Sequence, residues 1–124
     1  MQDPEHTLEI TENETLLFSS RAGWLKPLYE LEQWLHNSGY RLEDLAVEDK
    51  VVGRAAALLL CRLGLRRLRT AVLSRRAVPV LAAAGVRYHA ELEVAEIGCE
   101  TEQVLADCDD HEAAYREIMR RLGK

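Results

Sequence analysis

Asp49 and Lys50 set a carboxylate beside an amine. Such a pair can do acid–base or nucleophilic work when burial lowers the amine's pKa. Spacing alone does not show burial, and the plain alternative is an Asp49 that caps a helix and a Lys50 in water. Cys99 lies three residues before Glu102, a thiol near a carboxylate. Negative neighbours raise a thiol pKa, so an inert Cys99 is the better expectation. Cys61, Cys99 and Cys108 make an odd count without a C-x-x-C, which argues against a disulfide framework and a self-contained zinc knuckle. His6, His36, His89 and His111 are scattered, and neither a metal nor another cofactor is expected.

Charge is unevenly spread. Residues 1–50 carry a net −7, residues 51–90 carry +8 with no Asp or Glu, and residues 91–124 carry −6. The middle stretch can create a local positive field, unless Arg62, Arg66, Arg67 and Arg69 pair with acidic neighbours. The net charge of −5 makes general nucleic-acid binding an unexpected role, because phosphate tracking needs a dominant basic surface. At 124 residues, 48% of them hydrophobic, the chain is expected to be one domain, 1–124. It has no apolar run long enough to span a bilayer and no basic-then-apolar leader, so a cytoplasmic location away from membranes is expected.

The elements that would position these residues follow from periodicity. Residues 7–10 and 15–19 read as a hairpin around Thr11-Glu12-Asn13-Glu14. Trp24, Leu28, Leu31 and Leu35 recur at helical spacing over about residues 25–37, with Pro27 in the first turn and Gly39 as the stop. Trp24 and Trp34, ten apart, then share nearly one face and suit core or subunit-interface packing better than ligand stacking. Leu42 to Val47 reads as a short strand, and Asp49 as the cap of a helix with apolar or small residues at 51, 52, 55–61 and 63. A helix apolar nearly all round is central and buried, and Cys61 would pack there as a small hydrophobe. Gly64 ends it, residues 68–74 read as a strand, and residues 77–84 as a helix stopped by Gly85. Pro79 implies that the regular helix begins near residue 76 rather than at a Ser74 cap. Residues 88–94 alternate as a strand whose acidic face suits an outer position. A weak helix over residues 101–106 and a last helix opened by Asp109-Asp110-His111-Glu112 complete the chain. The order β-β-α-β-α-β-α-β-α predicts an α/β fold, a three-layer αβα arrangement with a mixed sheet of about five strands.

Three blocks carry a resemblance: Ser20-Arg21-Ala22-Gly23-Trp24-Leu25-Lys26-Pro27-Leu28, Asp49-Lys50-Val51-Val52-Gly53-Arg54-Ala55-Ala56-Ala57-Leu58-Leu59, and Glu96-Ile97-Gly98-Cys99-Glu100-Thr101-Glu102. Together they resemble a small prokaryotic domain-of-unknown-function family with a cytidine-deaminase-like fold, and D-K-x-x-G-x-A-A-A is the most specific of them. The last block keeps only Cys99 and Glu102 of the family's C-P-M-E. Zinc deaminases need H-x-E or C-x-E at one helix start and P-C-x-x-C at the next. Here those places hold Glu48-Asp49-Lys50 and Ser74-Arg75-Arg76-Ala77-Val78, so zinc-dependent deamination is not expected.

The resemblance implies that the starts of the second and third helices share one edge of the sheet, where ligands bind. Helix N-termini attract anions, so Asp49, Lys50, Gly53, Arg54, Ser74, Arg75 and Arg76, with Cys99 and Glu102, form the expected ligand site. Its guest would be an anionic small molecule such as a nucleotide. The alternatives are a regulatory or structural module with a vestigial pocket and a metal-free enzyme using Asp49 and Lys50. A homo-oligomer is compatible with the sequence.

Overall fold

A computed structural model describes residues 1–98 and 104–124. Strands β1 (Leu8–Glu12) and β2 (Thr15–Ser20) form the expected hairpin. Asn13 and Glu14 both have positive φ, 49° and 70°, as a two-residue turn matched to strand twist requires. Helix α1 (Lys26–Ser38) carries Pro27 in its first turn and ends at Gly39, whose φ of 79° lets its N–H reach the Leu35 carbonyl.

The next element departs from the sequence reading. Residues 42–44 form a 3-10 turn, and strand β3 runs Ala46–Val52, carrying Asp49 and Lys50 inside the sheet. Asp49 therefore caps no helix. Helix α2 (Arg54–Arg62) starts later, with Gly53 as its N-cap. Sheet pairing overrides the helical pattern here: β3 is flanked by β1 on one side and β4 on the other, and its β-branched Val47, Val51 and Val52 suit that position. After β4 (Arg67–Ser74), the Ser74 hydroxyl accepts the Arg76 N–H at 3.1 Å and opens a 3-10 turn over Arg75–Ala77. Helix α3 (Val78–Ala83) follows with Pro79 in its first turn, where a missing N–H costs nothing. Strand β5 spans Arg87–Val94. In helix α4 (His111–Arg121) the cap is Asp110 rather than Asp109, its Oδ1 accepting the N–H groups of Glu112 at 2.9 Å and Ala113 at 3.3 Å. Half of the helix expected over residues 101–106, positions 101–103, lies outside the described residues.

The sheet order is β2-β1-β3-β4-β5, with β1 antiparallel to both neighbours and β3, β4 and β5 parallel. This mixed five-stranded sheet with flanking helices is an α/β architecture consistent with the three-layer αβα class. Residues 54–60 of α2 are all buried, and α2 packs against α1, α3 and α4, which makes it the central helix as its composition predicts. Arg62 ties three helices. Its guanidinium bonds Glu32 of α1 and Glu112 of α4, and stands 3.6 Å over the Tyr115 ring. Burial pushes the Cys61 thiol up to about 11, which keeps it protonated and unreactive at neutral pH. No helix among the described residues is long and apolar enough to cross a membrane.

Candidate functional site

A pocket of about 290 Å³ opens between the start of α1 and the start of α2, over the carboxyl end of β3. Its walls are mostly apolar, from Ala22, Leu25 and Pro27 on one side and Ala55 and Ala56 on the other. The small alanines leave the space: a larger side chain at residue 56 would occupy it. A side-chain network fixes the loop before α1. The Thr7 hydroxyl donates to the Ala22 carbonyl at 2.8 Å, and Ser20 Oγ accepts the Ala22 N–H at 3.1 Å while donating to Glu30 at 2.5 Å. Trp24 lies in this loop, outside the helix, with φ of 55° and 47% of its surface exposed. A bulky residue in the left-handed region is strained, and such strain concentrates at functional sites. Trp24 borders the pocket and lies outside the core, which corrects the core packing expected for it. Trp34 does pack, stacked 5.3 Å from the Tyr40 ring and 5.5 Å from Phe18.

Asp49 supplies the pocket's carboxyl. Desolvation raises its pKa from 3.8 to about 7, an effect the main-chain N–H groups of Val51 and Lys50 only partly offset. Near neutral pH the group therefore exists as both acid and carboxylate, able to donate or accept a hydrogen bond. Lys50 also borders the pocket, but adjacent residues of a strand point to opposite faces and no ion pair joins the two. The exposed Lys50 ammonium instead donates to the Pro4 carbonyl at 2.5 Å. That contact belongs to an N-terminal segment anchored on Glu9, whose buried carboxylate accepts the Gln2 N–H at 2.8 Å and the Asp3 N–H at 3.1 Å and pairs with His6 Nδ1 at 2.7 Å.

The family model of TM1506, a domain of unknown function (DUF1893), matches residues 1–122. The chain belongs to the DUF1893 family. It is also similar to the crystal structure of a DUF1893 family protein (TM1506) from Thermotoga maritima, with a TM-score of 0.80 and 23% identity over 94% of this chain and 80% of that one. At that identity the likeness shows the fold alone. No curated protein matches the sequence.

Within this DUF1893 chain the expected site residues separate. Asp49, Lys50 and Gly53 line the pocket. Arg54 is only 5% exposed and spans three segments: its guanidinium donates to the carbonyls of Leu105 (2.8 Å), Cys108 (2.7 Å) and Arg76 (2.9 Å), and to Asp109 at 2.7 Å. Ser74 is fully buried at its turn, Arg75 stands 3.6 Å from Glu93, and Arg76 pairs with Glu96 at 2.7 Å. Cys99 and Glu102 lie outside the described residues. The pocket thus joins the first and second helix starts, where the sequence reading set the second and third. Ala22, Trp24, Leu25 and Pro27 were missed as lining residues. Their signal was the Gly23-Trp24 break just ahead of Pro27, an aromatic in a loop at a helix start. Among the described residues no three His, Cys, Asp or Glu side chains gather to hold a metal ion.

Proposed function

We propose that this chain is a deaminase-like domain that works without zinc and binds a nucleotide-like small molecule in the Asp49 pocket. The observation that carries this reading is a single carboxyl on a mostly apolar wall, in a pocket bordered by an exposed, strained tryptophan. An apolar pocket with few placed polar groups suits a planar heteroaromatic ring: Trp24 offers a stacking face and Asp49 a hydrogen-bonding partner for ring nitrogens. Lys50 borders the same pocket, and its ammonium would leave the Pro4 carbonyl to reach an anionic substituent. The hairpin followed by alternating helices and strands supports the deaminase-like fold.

Calorimetry with the ribonucleosides and their monophosphates tests the reading. Expected is binding by the wild type, about tenfold weaker for Asp49→Asn, where one hydrogen-bonding state is lost, and Lys50→Met weakening the monophosphates more than the nucleosides. No binding by any of them contradicts it and leaves a module whose pocket is vestigial, and equal affinities for wild type and Asp49→Asn contradict the role given to the carboxyl.

A second reading is favoured by the Asp49 pKa near 7, which suits a general acid or base. Metal-free catalysis through Asp49 would show as a mass change in a nucleotide incubated with the wild type and no change with Asp49→Asn.

A further inference from the structure

We propose that β5 pairs antiparallel with β5 of a second copy of this chain, joining two five-stranded sheets into one. Among the described residues β5 ends the sheet, and most of its residues are exposed. Tyr88 is 38% and Leu92 56% exposed, large apolar side chains left uncovered on an edge strand. An unpaired edge of this length is a template for another strand.

The hydrogen-bonding polarity restricts the register. The Arg87 N–H donates toward the β4 side, to the Arg66 carbonyl at 2.9 Å, and the β4–β5 register keeps a constant offset up to Val94. Successive residues of a strand turn their main-chain groups to alternate sides, so Tyr88, Ala90 and Leu92 present theirs at the free edge. Antiparallel pairing must set these residues opposite one another. A two-fold axis at Ala90 does so, pairing Tyr88 with the second copy's Leu92, Ala90 with its Ala90, and Leu92 with its Tyr88.

The same axis settles the side chains. Arg87 comes opposite the second copy's Glu93, and His89 opposite its Glu91, each twice by symmetry. These pairs share one face, while Tyr88, Leu92 and Ala90 share the other. Shifting the axis by one residue in either direction sets Glu91 opposite Glu91 or His89 opposite His89. Within one copy, Arg87 sits beside Arg67, like-charge neighbours that cost stability, and His89 sits beside Arg69. Neither Arg87 nor His89 has an ion pair among the described residues, and Glu93 has only the distant contact with Arg75. Self-pairing sets the Glu93 carboxylate against Arg87 and the Glu91 carboxylate against His89, and covers the exposed Tyr88 and Leu92.

Sedimentation equilibrium on the full chain over a wide concentration range tests this. Expected is a monomer–dimer equilibrium, weakened at least about tenfold by Arg87→Glu, which sets two carboxylates against Glu93 of the other copy, and restored to within about threefold by Arg87→Glu with Glu93→Arg. Ala90→Pro removes an N–H that points away from β4, so the fold should persist with dimerisation abolished. Amide exchange at Tyr88, Ala90 and Leu92 should slow as concentration rises. A wild type that stays monomeric throughout overturns the proposal. So does a dimer indifferent to both Arg87→Glu and Ala90→Pro. If Ala90→Pro fails to fold, failure of the charge swap to restore the dimer overturns it alone.

Discussion

Asp49→Asn should stabilise this protein, and should do so more at pH 8 than at pH 5. An unfolded aspartate releases its proton near 3.8, whereas in the folded pocket it holds it to about 7. Between those values the folded state binds a proton the unfolded chain has lost, so wild-type stability falls as pH rises through the window and levels off above it. Below about pH 4 both states are protonated and Asp49 contributes nothing to the slope. At about 1.4 kcal/mol per pH unit, a shift of about three units gives an upper bound of about 4 kcal/mol. Partial solvent access and the two main-chain N–H contacts make about 1 to 3 kcal/mol the working range. Asparagine keeps the shape and still accepts a hydrogen bond from the Val51 N–H, but it does not titrate. Urea unfolding of both proteins at pH 5, 6, 7 and 8 reads the difference. Parallel stability curves for wild type and Asp49→Asn across that range would refute a desolvated Asp49.

Other perturbations separate packing, clamping and strain. Ala57→Leu, at a fully buried position of α2, should cost about 1 to 3 kcal/mol by overpacking, read as a lower urea midpoint. Arg54→Met removes a buried guanidinium from three carbonyls and should cost at least about 1.5 to 3 kcal/mol, with amide exchange accelerating around residues 105–109. Trp24→Gly should be more stable than Trp24→Ala by about 1 kcal/mol in thermal unfolding, because only glycine takes the φ of 55° without strain. Equal stabilities for those two variants would mean that the loop relaxes out of the left-handed region.

Local chemistry made much of the fold legible in the sequence. Gly39, Gly64 and Gly85 mark chain reversals and all have positive φ, and Asn13 opens the tight turn of the hairpin. The acidic alternation of residues 88–94 correctly points to an outer strand, since β5 is an edge. What failed was residues 42–44, which form a turn, and residues 48–52, where two periods compete. Val51, Val52, Ala55 and Leu59 fit a helical stripe, yet Val47, Val51 and Val52 also suit a strand paired on both sides. Long-range pairing with β1 and β4 decides between them and is invisible locally. That single shift moved Asp49 from a helix cap to the sheet. Arg54 shows the same limit from another side. Its charge suggested an anion site, but the carbonyls it serves come from segments about twenty and fifty residues away.

The most direct test of the Asp49 pocket is a carbon-detected NMR titration of its carboxyl, assigned by comparison with Asp49→Asn, with and without a saturating ribonucleoside monophosphate. Expected is a midpoint near pH 7 in the free protein, displaced when the nucleotide is present. A midpoint near the ordinary aspartate value of 3.8, unmoved by any of the four monophosphates, would contradict both the desolvated carboxyl and its role in binding.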